Sequence, residues 1–197
     1  MPKVVDHEER RRNIAEAVYR LIGTNGMDAV SLRDVAQEAG VSMGAVQHYF
    51  KTKDDMLLFA LGYMRERVLP RLQSALDKLP DPTTRERTRA AITLMLPLDK
   101  QSTQEATVNI AFFANSFGNK ETQAKLREGY RALYEASRQS LKDAAESGEL
   151  RSIEDVDQAA AELFYLVQGL IGPTLIGAMS KKEAVTVVDN KLDALFR

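Results

Sequence analysis

Apolar residues recur three and four positions apart along almost the whole chain, and Val, Ile and Thr nowhere alternate with polar residues over a strand's length. Both features predict helices. The first stripe is Ile14, Ala17, Val18, Leu21 and Ile22, closed by Gly23 and Asn25-Gly26. Ser31 then serves as an N-cap, with Asp34 three residues on in the place of a capping-box acid. Leu32, Val35, Ala36 and Ala39 share one face until Gly40, where a helix C-terminus needs a positive φ. Ser42 caps a second short helix that runs through Ala45 and Val46 to Tyr49-Phe50.

Thr52 caps a long helix that begins Lys53-Asp54-Asp55, whose acids suit the positive end of the helix dipole. Met56, Leu57, Ala60, Leu61 and Met64 continue it, a kink is expected near Pro70, and Leu79-Pro80 ends it. Beyond Pro80-Asp81-Pro82, helices are expected at about 83–96, 102–117, 120–147, 154–178 and 181–196. They are separated by Pro97, Gly118-Asn119, Gly148 and Gly177, and Ser180 with Glu183 forms a capping box before the last. The fold class is therefore all-α, about nine helices. Residues 1–55 form an N-terminal three-helix unit and residues 56–197 a C-terminal helical domain.

Two short helices around a glycine turn make a plain αα-hairpin or a helix-turn-helix. The second reading needs particular residue types at fixed places. A small residue stands at the crossing (Ala36), a glycine opens the turn four residues later (Gly40), an apolar residue is buried just after it (Val41), and Val46 packs back ten residues after Ala36. Leu32, Val35 and Ala39 complete that core.

On this reading the second helix enters the major groove of DNA and exposes Ser42, Met43, Gly44, Ala45, Gln47, His48 and Tyr49. Gly44 and Ala45 allow close backbone approach, Gln47 can pair with adenine, and Met43 or Ala45 can touch a thymine methyl. Arg33 is within reach of a guanine or a phosphate, and Lys53 is placed to bind phosphate at the start of the following helix. Arg10, Arg11 and Arg12 are either a solvated face or a further backbone contact.

Composition changes this picture little. With 197 residues and 44% hydrophobic content, the chain can bury a substantial core. Cysteine is absent, which excludes disulfides and Cys-ligated zinc. The net charge is −1, and residues 1–55 carry 8 Lys/Arg against 9 Asp/Glu, so any nucleic-acid contact must be local. No run reaches the roughly 18 apolar residues of a membrane span. The first residues lack an apolar signal core, so a cytoplasmic protein is expected.

The stretch from Val30 to Leu57 resembles the N-terminal domain of the TetR family. Ala36, Gly40-Val41-Ser42, Gly44-Ala45, Tyr49-Phe50, Lys53-Asp54-Asp55 and Leu57 each stand where that pattern has its counterpart. The departure is Gln47-His48, where the family often carries Tyr, and it bears on base preference. The segment Phe164-Tyr-Leu-Val-Gln-Gly-Leu-Ile-Gly172 is similar to the branch that includes betaine-pathway repressors.

The resemblance implies a ligand-responsive transcriptional regulator, a repressor released from a palindromic double-stranded operator. It further implies a C-terminal domain that binds a small-molecule effector and dimerises through its last two helices, here about 154–178 and 181–196. Broad apolar faces on both support burial against core and partner, although an internal core alone would give the same pattern. Candidate effector residues are Phe112, Phe113, Asn115 and Phe117 on one helix, Tyr130 and Tyr134 on the next, and Phe164 with Gln168 later, a set suited to an apolar or amphipathic molecule.

No enzyme is expected. The two histidines, His7 and His48, lack paired-ligand spacing for a metal, no phosphate loop or nucleophile elbow occurs, and no cofactor is implied. The rival from another class is a helical small-molecule binder whose helix-turn-helix is merely structural.

Overall fold

The computed structural model of the chain describes residues 7–152 and 155–197. It is built from the helices α1 (His7–Asn25), α2 (Leu32–Ala39), α3 (Met43–Tyr49), α4 (Lys53–Glu66), α5 (Val68–Leu76), α6 (Thr84–Met95), α7 (Lys100–Asn115), α8 (Lys120–Glu146), α9 (Val156–Leu175) and α10 (Lys181–Leu195). Short 3₁₀ turns occupy Met27–Ala29 and Ser116–Gly118. Among the described residues no strand forms, and only an isolated antiparallel bridge joins Leu150 to Phe196. The all-α expectation holds.

The chain divides into two compact units. The first comprises the described part of Met1–Val68 together with Thr107–Lys125, the second Leu69–Ala106 and Leu126–Arg197. In the first, α1 packs on α2 and α4, and α2 packs on α3. Ile14, Ala17, Val18, Ile22, Val35, Val46, Met56 and Leu61 are almost completely buried. The stripe Ile14–Ile22 thus turns inward, as its spacing predicts, but Leu21 is only half-buried. Arg20 ties α1 to α2 by a 2.6 Å ion pair with Glu38, and Tyr63 donates to Glu16 at 2.8 Å between α4 and α1.

The helix expected to run from 53 to 79 with a kink at Pro70 is two helices. α4 ends at Glu66, Arg67 is a turn, and α5 starts at Val68 and ends at Leu76. The cause lies one turn back along the chain from the proline: a proline at 70 has no N–H for the carbonyl of Glu66, and its ring crowds that carbonyl. Restarting at Val68 puts Pro70 in the first turn of α5, where its missing donor costs nothing. The helix expected over 102–117 is α7 plus the 3₁₀ turn. Residue 154, the expected start of the ninth helix, lies outside the described residues; Asp155 caps α9, accepting from the Gln158 amide at 3.0 Å.

In the second unit α6, α9 and α10 pack together. Leu96, Leu141, Ala160, Leu163, Ala184, Val188 and Leu192 are completely buried. Arg89 holds Asp189 with two hydrogen bonds of 2.6 and 3.0 Å, which lowers the aspartate pKa and ties α6 to α10. The chain end is clasped: the Arg151 amide donates to Leu195 and the Arg197 amide to Glu149, with Phe196 buried between.

Candidate nucleic-acid interface

The candidate interface starts from two serine caps. The Ser31 hydroxyl oxygen accepts from the Asp34 amide at 3.2 Å, starting α2. The Ser31 hydroxyl donates to the Asp34 carboxylate at 2.5 Å, so the short acid completes the cap through the hydroxyl. Gly40 has φ 66°, and the Gly40 and Val41 amides donate to the carbonyls of Gln37 and Ala36. Those two bonds are a Schellman motif. The Asn13 side chain of α1 satisfies a third carbonyl at the same end, Ala39, at 3.2 Å.

A Cβ at Gly40 would meet nothing within 4 Å, so glycine is required there by backbone conformation alone. Gly40→Ala is therefore expected to cost about 1–2 kcal/mol, the left-handed penalty for an L-residue. Equal melting midpoints of variant and parent would contradict the strain argument.

Ser42 then caps α3, its Oγ accepting from the Ala45 amide at 3.1 Å. Val46 and Phe50 bury completely and set the rotation of this short helix. That rotation exposes Ser42, Met43, Gly44, Gln47 and His48, while Ala45 and Tyr49 are half-buried. Arg33 is exposed in the first turn of α2 and Lys53 in the first turn of α4. Thr52 and Asp55 form a reciprocal capping box beside Lys53, at 3.0 and 3.1 Å. The crossing residue Ala36 is buried, but Val41, expected to be buried, is half-buried, as are Leu32 and Ala39. Val41 spends its amide on the Schellman bond, which holds its side chain at the rim of the turn.

The three arginines before the first stripe differ. The Arg11 guanidinium lies 4.1 Å from the Phe59 ring centroid and 5.4 Å from that of Phe50, and its Nη1 reaches Glu8 at 3.4 Å. It is thus committed to the protein by cation–π contact. Arg10 is half-buried and Arg12 exposed. A further grouping does not follow from the motif: the rings of His7, His48 and Tyr49 lie 5.2–6.0 Å apart. Its signal is in the spacing, because Val18, Ile14, Arg11 and His7 succeed one another at three and four residues on α1.

The expected effector residues fall in both units. Phe112 is buried in the first, where Phe113 (48% exposed) and Phe117 (73%) touch edge to face and Asn115 is exposed. In the second, Tyr130 and Tyr134 meet Phe164 edge to face at 6.4 and 5.6 Å, and Gln168 is half-buried. Burial raises the Tyr130 pKa, so its phenol stays protonated. Tyr165 adds a stacked ring on Tyr134 at 6.4 Å. Among the described residues no group of three or more His, Asp or Glu is placed to hold a metal, and no helix is long and apolar enough to cross a membrane.

The chain is similar to known proteins over both of its parts. Residues 14–59 match the family described as "Bacterial regulatory proteins, tetR family", and residues 83–197 match "BetI-type transcriptional repressor, C-terminal". The HTH-type transcriptional regulator PksA of Bacillus subtilis is 36% identical over 172 residues, covering 86% of this chain and 80% of that protein. The HTH-type transcriptional regulator BetI of Brucella anthropi is 28% identical, covering 68% of each. A transcriptional regulator of Saccharomonospora viridis, solved in complex with choline, superposes with a TM-score of 0.81 at 26% identity, covering 96% of this chain and 99% of that one. The chain belongs to the TetR family of bacterial transcriptional regulators, with a C-terminal part of the BetI type.

Proposed function

We propose that the protein is a cytoplasmic repressor without catalytic activity, which binds a palindromic operator as a homodimer and leaves it when a small amphipathic effector binds residues of 56–197. The observation that carries the DNA half is the exposed face of α3, held between the Gly40 turn and the buried Val46 and Phe50. Ser42, Met43, Gly44, Ala45, Gln47, His48 and Tyr49 are the residues assigned to the groove and its edges, and Arg33 and Lys53 to the flanking backbone.

Dimerisation is assigned to α9 and α10. Tyr165 (65% exposed), Gly169 and Pro173 on α9, with Ile176 (79% exposed) at its C-cap, form an exposed strip on an otherwise core helix. Within the chain a Cβ at Gly169 or at Gly172 would meet nothing within 4 Å, so internal packing does not call for glycine. Close approach of a second copy does. A two-fold dimer would set its recognition helices about 34–36 Å apart, one DNA turn. An effector that changes that spacing needs a differential affinity of about 10⁴ to move the population from 1:99 to 99:1.

The effector site is centred on Tyr130, Tyr134 and Phe164 with Gln168, and Phe112, Phe113, Asn115 and Phe117 are held as further candidates. Aromatic rings attract quaternary ammonium groups through their faces, and the choline complex of the similar S. viridis regulator supports choline as the first probe. Choline added to the chain–operator complex should release DNA, and Phe164→Ala should blunt the release. Unchanged operator affinity at saturating choline would remove choline as effector.

A further inference from the structure

Both histidines of the chain stand at one spot. His7 in the first turn of α1 and His48 in the last turn of α3 are exposed, their ring centroids 6.0 Å apart and tilted by 47°. The Tyr49 ring meets each edge to face, at 5.4 and 5.2 Å. Two exposed imidazoles this close can turn ring N–H groups toward a single anion between them. A metal is a poor occupant, because among the described residues no third ligand completes the set. The cluster stands at the C-terminal end of α3.

We propose that His7 and His48 together hold one phosphate of the DNA backbone, so that α1 contributes to the DNA interface and binding takes up a proton there. Imidazole is the side chain whose charge changes between about pH 5 and 8. The neighbouring charged groups are Glu8, held by Arg11 at 3.4 Å, with Glu9 and Arg10 on α1. Lys51 follows Tyr49 by two residues, Lys53, Asp54 and Asp55 open α4, and α2 brings Glu38, which Arg20 holds at 2.6 Å. Of these acids Glu8 is thus paired with Arg11 and Glu38 with Arg20, and the two imidazole rings face solvent.

The inference rests on the DNA-binding reading and is separable from it. Binding of the full chain to operator duplex is measured by fluorescence anisotropy over a range of salt, at about pH 6 and about pH 8. The variants are His7→Gln, His7→Phe and, as comparator, Lys53→Ala. At the lower pH both His7 variants should reduce the slope of log affinity against log salt by about 0.9 for each phosphate that they no longer neutralise. At the higher pH they should match the parent, whereas Lys53→Ala should lower the slope at both. His7→Phe keeps an aromatic ring against Tyr49, so an unchanged slope for it at the lower pH would reduce His7 to a packing role and overturn the proposal. An equal loss at both values would overturn the proton linkage. If parent and Lys53→Ala show no salt-dependent binding at all, the DNA-binding reading fails with it.

Discussion

Val46→Asp is expected to unfold the N-terminal unit and abolish DNA binding. Val46 has no exposed surface, and it is the residue by which α3 is seated. A carboxylate there would lose its hydration with no cation provided in exchange, a cost on the order of 4 kcal/mol. Whole domains are stable by only about 5–15 kcal/mol. The neighbouring residue gives the control, because Gln47 is exposed and Gln47→Asp places the same acid in water, where substitutions usually stay within about 0.5 kcal/mol. Thermal unfolding followed by circular dichroism should show early loss of helicity for Val46→Asp and a near-parental curve for Gln47→Asp. A parental curve for Val46→Asp would mean that α3 is not anchored through this side chain.

Gly169→Leu is expected to give a folded monomer with weakened operator binding. The position is exposed on α9, and an added Cβ meets nothing in the chain within 4 Å. Replacing glycine by leucine inside a helix favours the isolated chain by somewhat less than about 1 kcal/mol. A second copy packed on the same strip would instead meet a bulky side chain, and by two-fold symmetry would meet it twice. Overpacking costs about 1–3 kcal/mol per site. Two sites thus weaken association by roughly 30-fold to 3 × 10⁴-fold, at 1.36 kcal/mol per tenfold. Light scattering should report a monomer at concentrations where the parent is dimeric, with the helical circular dichroism of the parent retained. A Gly169→Leu dimer of parental affinity would move the interface away from this face of α9.

Much of the first unit is legible in the sequence because its signals are local. Ser31, Gly40, Ser42 and Thr52 each act on hydrogen bonds within a few residues, and the helices begin and end where these residues place them. The exposed face of α3 follows from the same logic, since burying Val46 and Phe50 leaves little choice for Ser42, Met43, Gln47 and His48.

What periodicity could not supply is of two kinds. Pro70 acts at a distance of one turn, so its break appears at Arg67 rather than at the proline. Arg11 and His7 continue the buried stripe of α1, but a guanidinium and an imidazole read as surface until the Phe50, Phe59 and Tyr49 rings are seen beside them. The aromatic candidates divide between the units for a related reason. Helical spacing groups Phe113 with Phe117 and Tyr130 with Tyr134, but it carries no information about which helices share a cavity.

The claim on which the rest depends is that the exposed face of α3 reads base sequence. The most direct measurement is equilibrium binding of parent and Gln47→Ala to an operator from the flanking intergenic DNA, to single-base variants of it, and to random duplex at one moderate salt concentration. The parent should prefer operator over random duplex by about 10³-fold or more. Gln47→Ala should lose discrimination of about 1–3 kcal/mol at particular base pairs while its affinity for random duplex stays the same. A parent that binds no intergenic fragment more tightly than random DNA, or a Gln47→Ala chain with parental discrimination at every base pair, would contradict it.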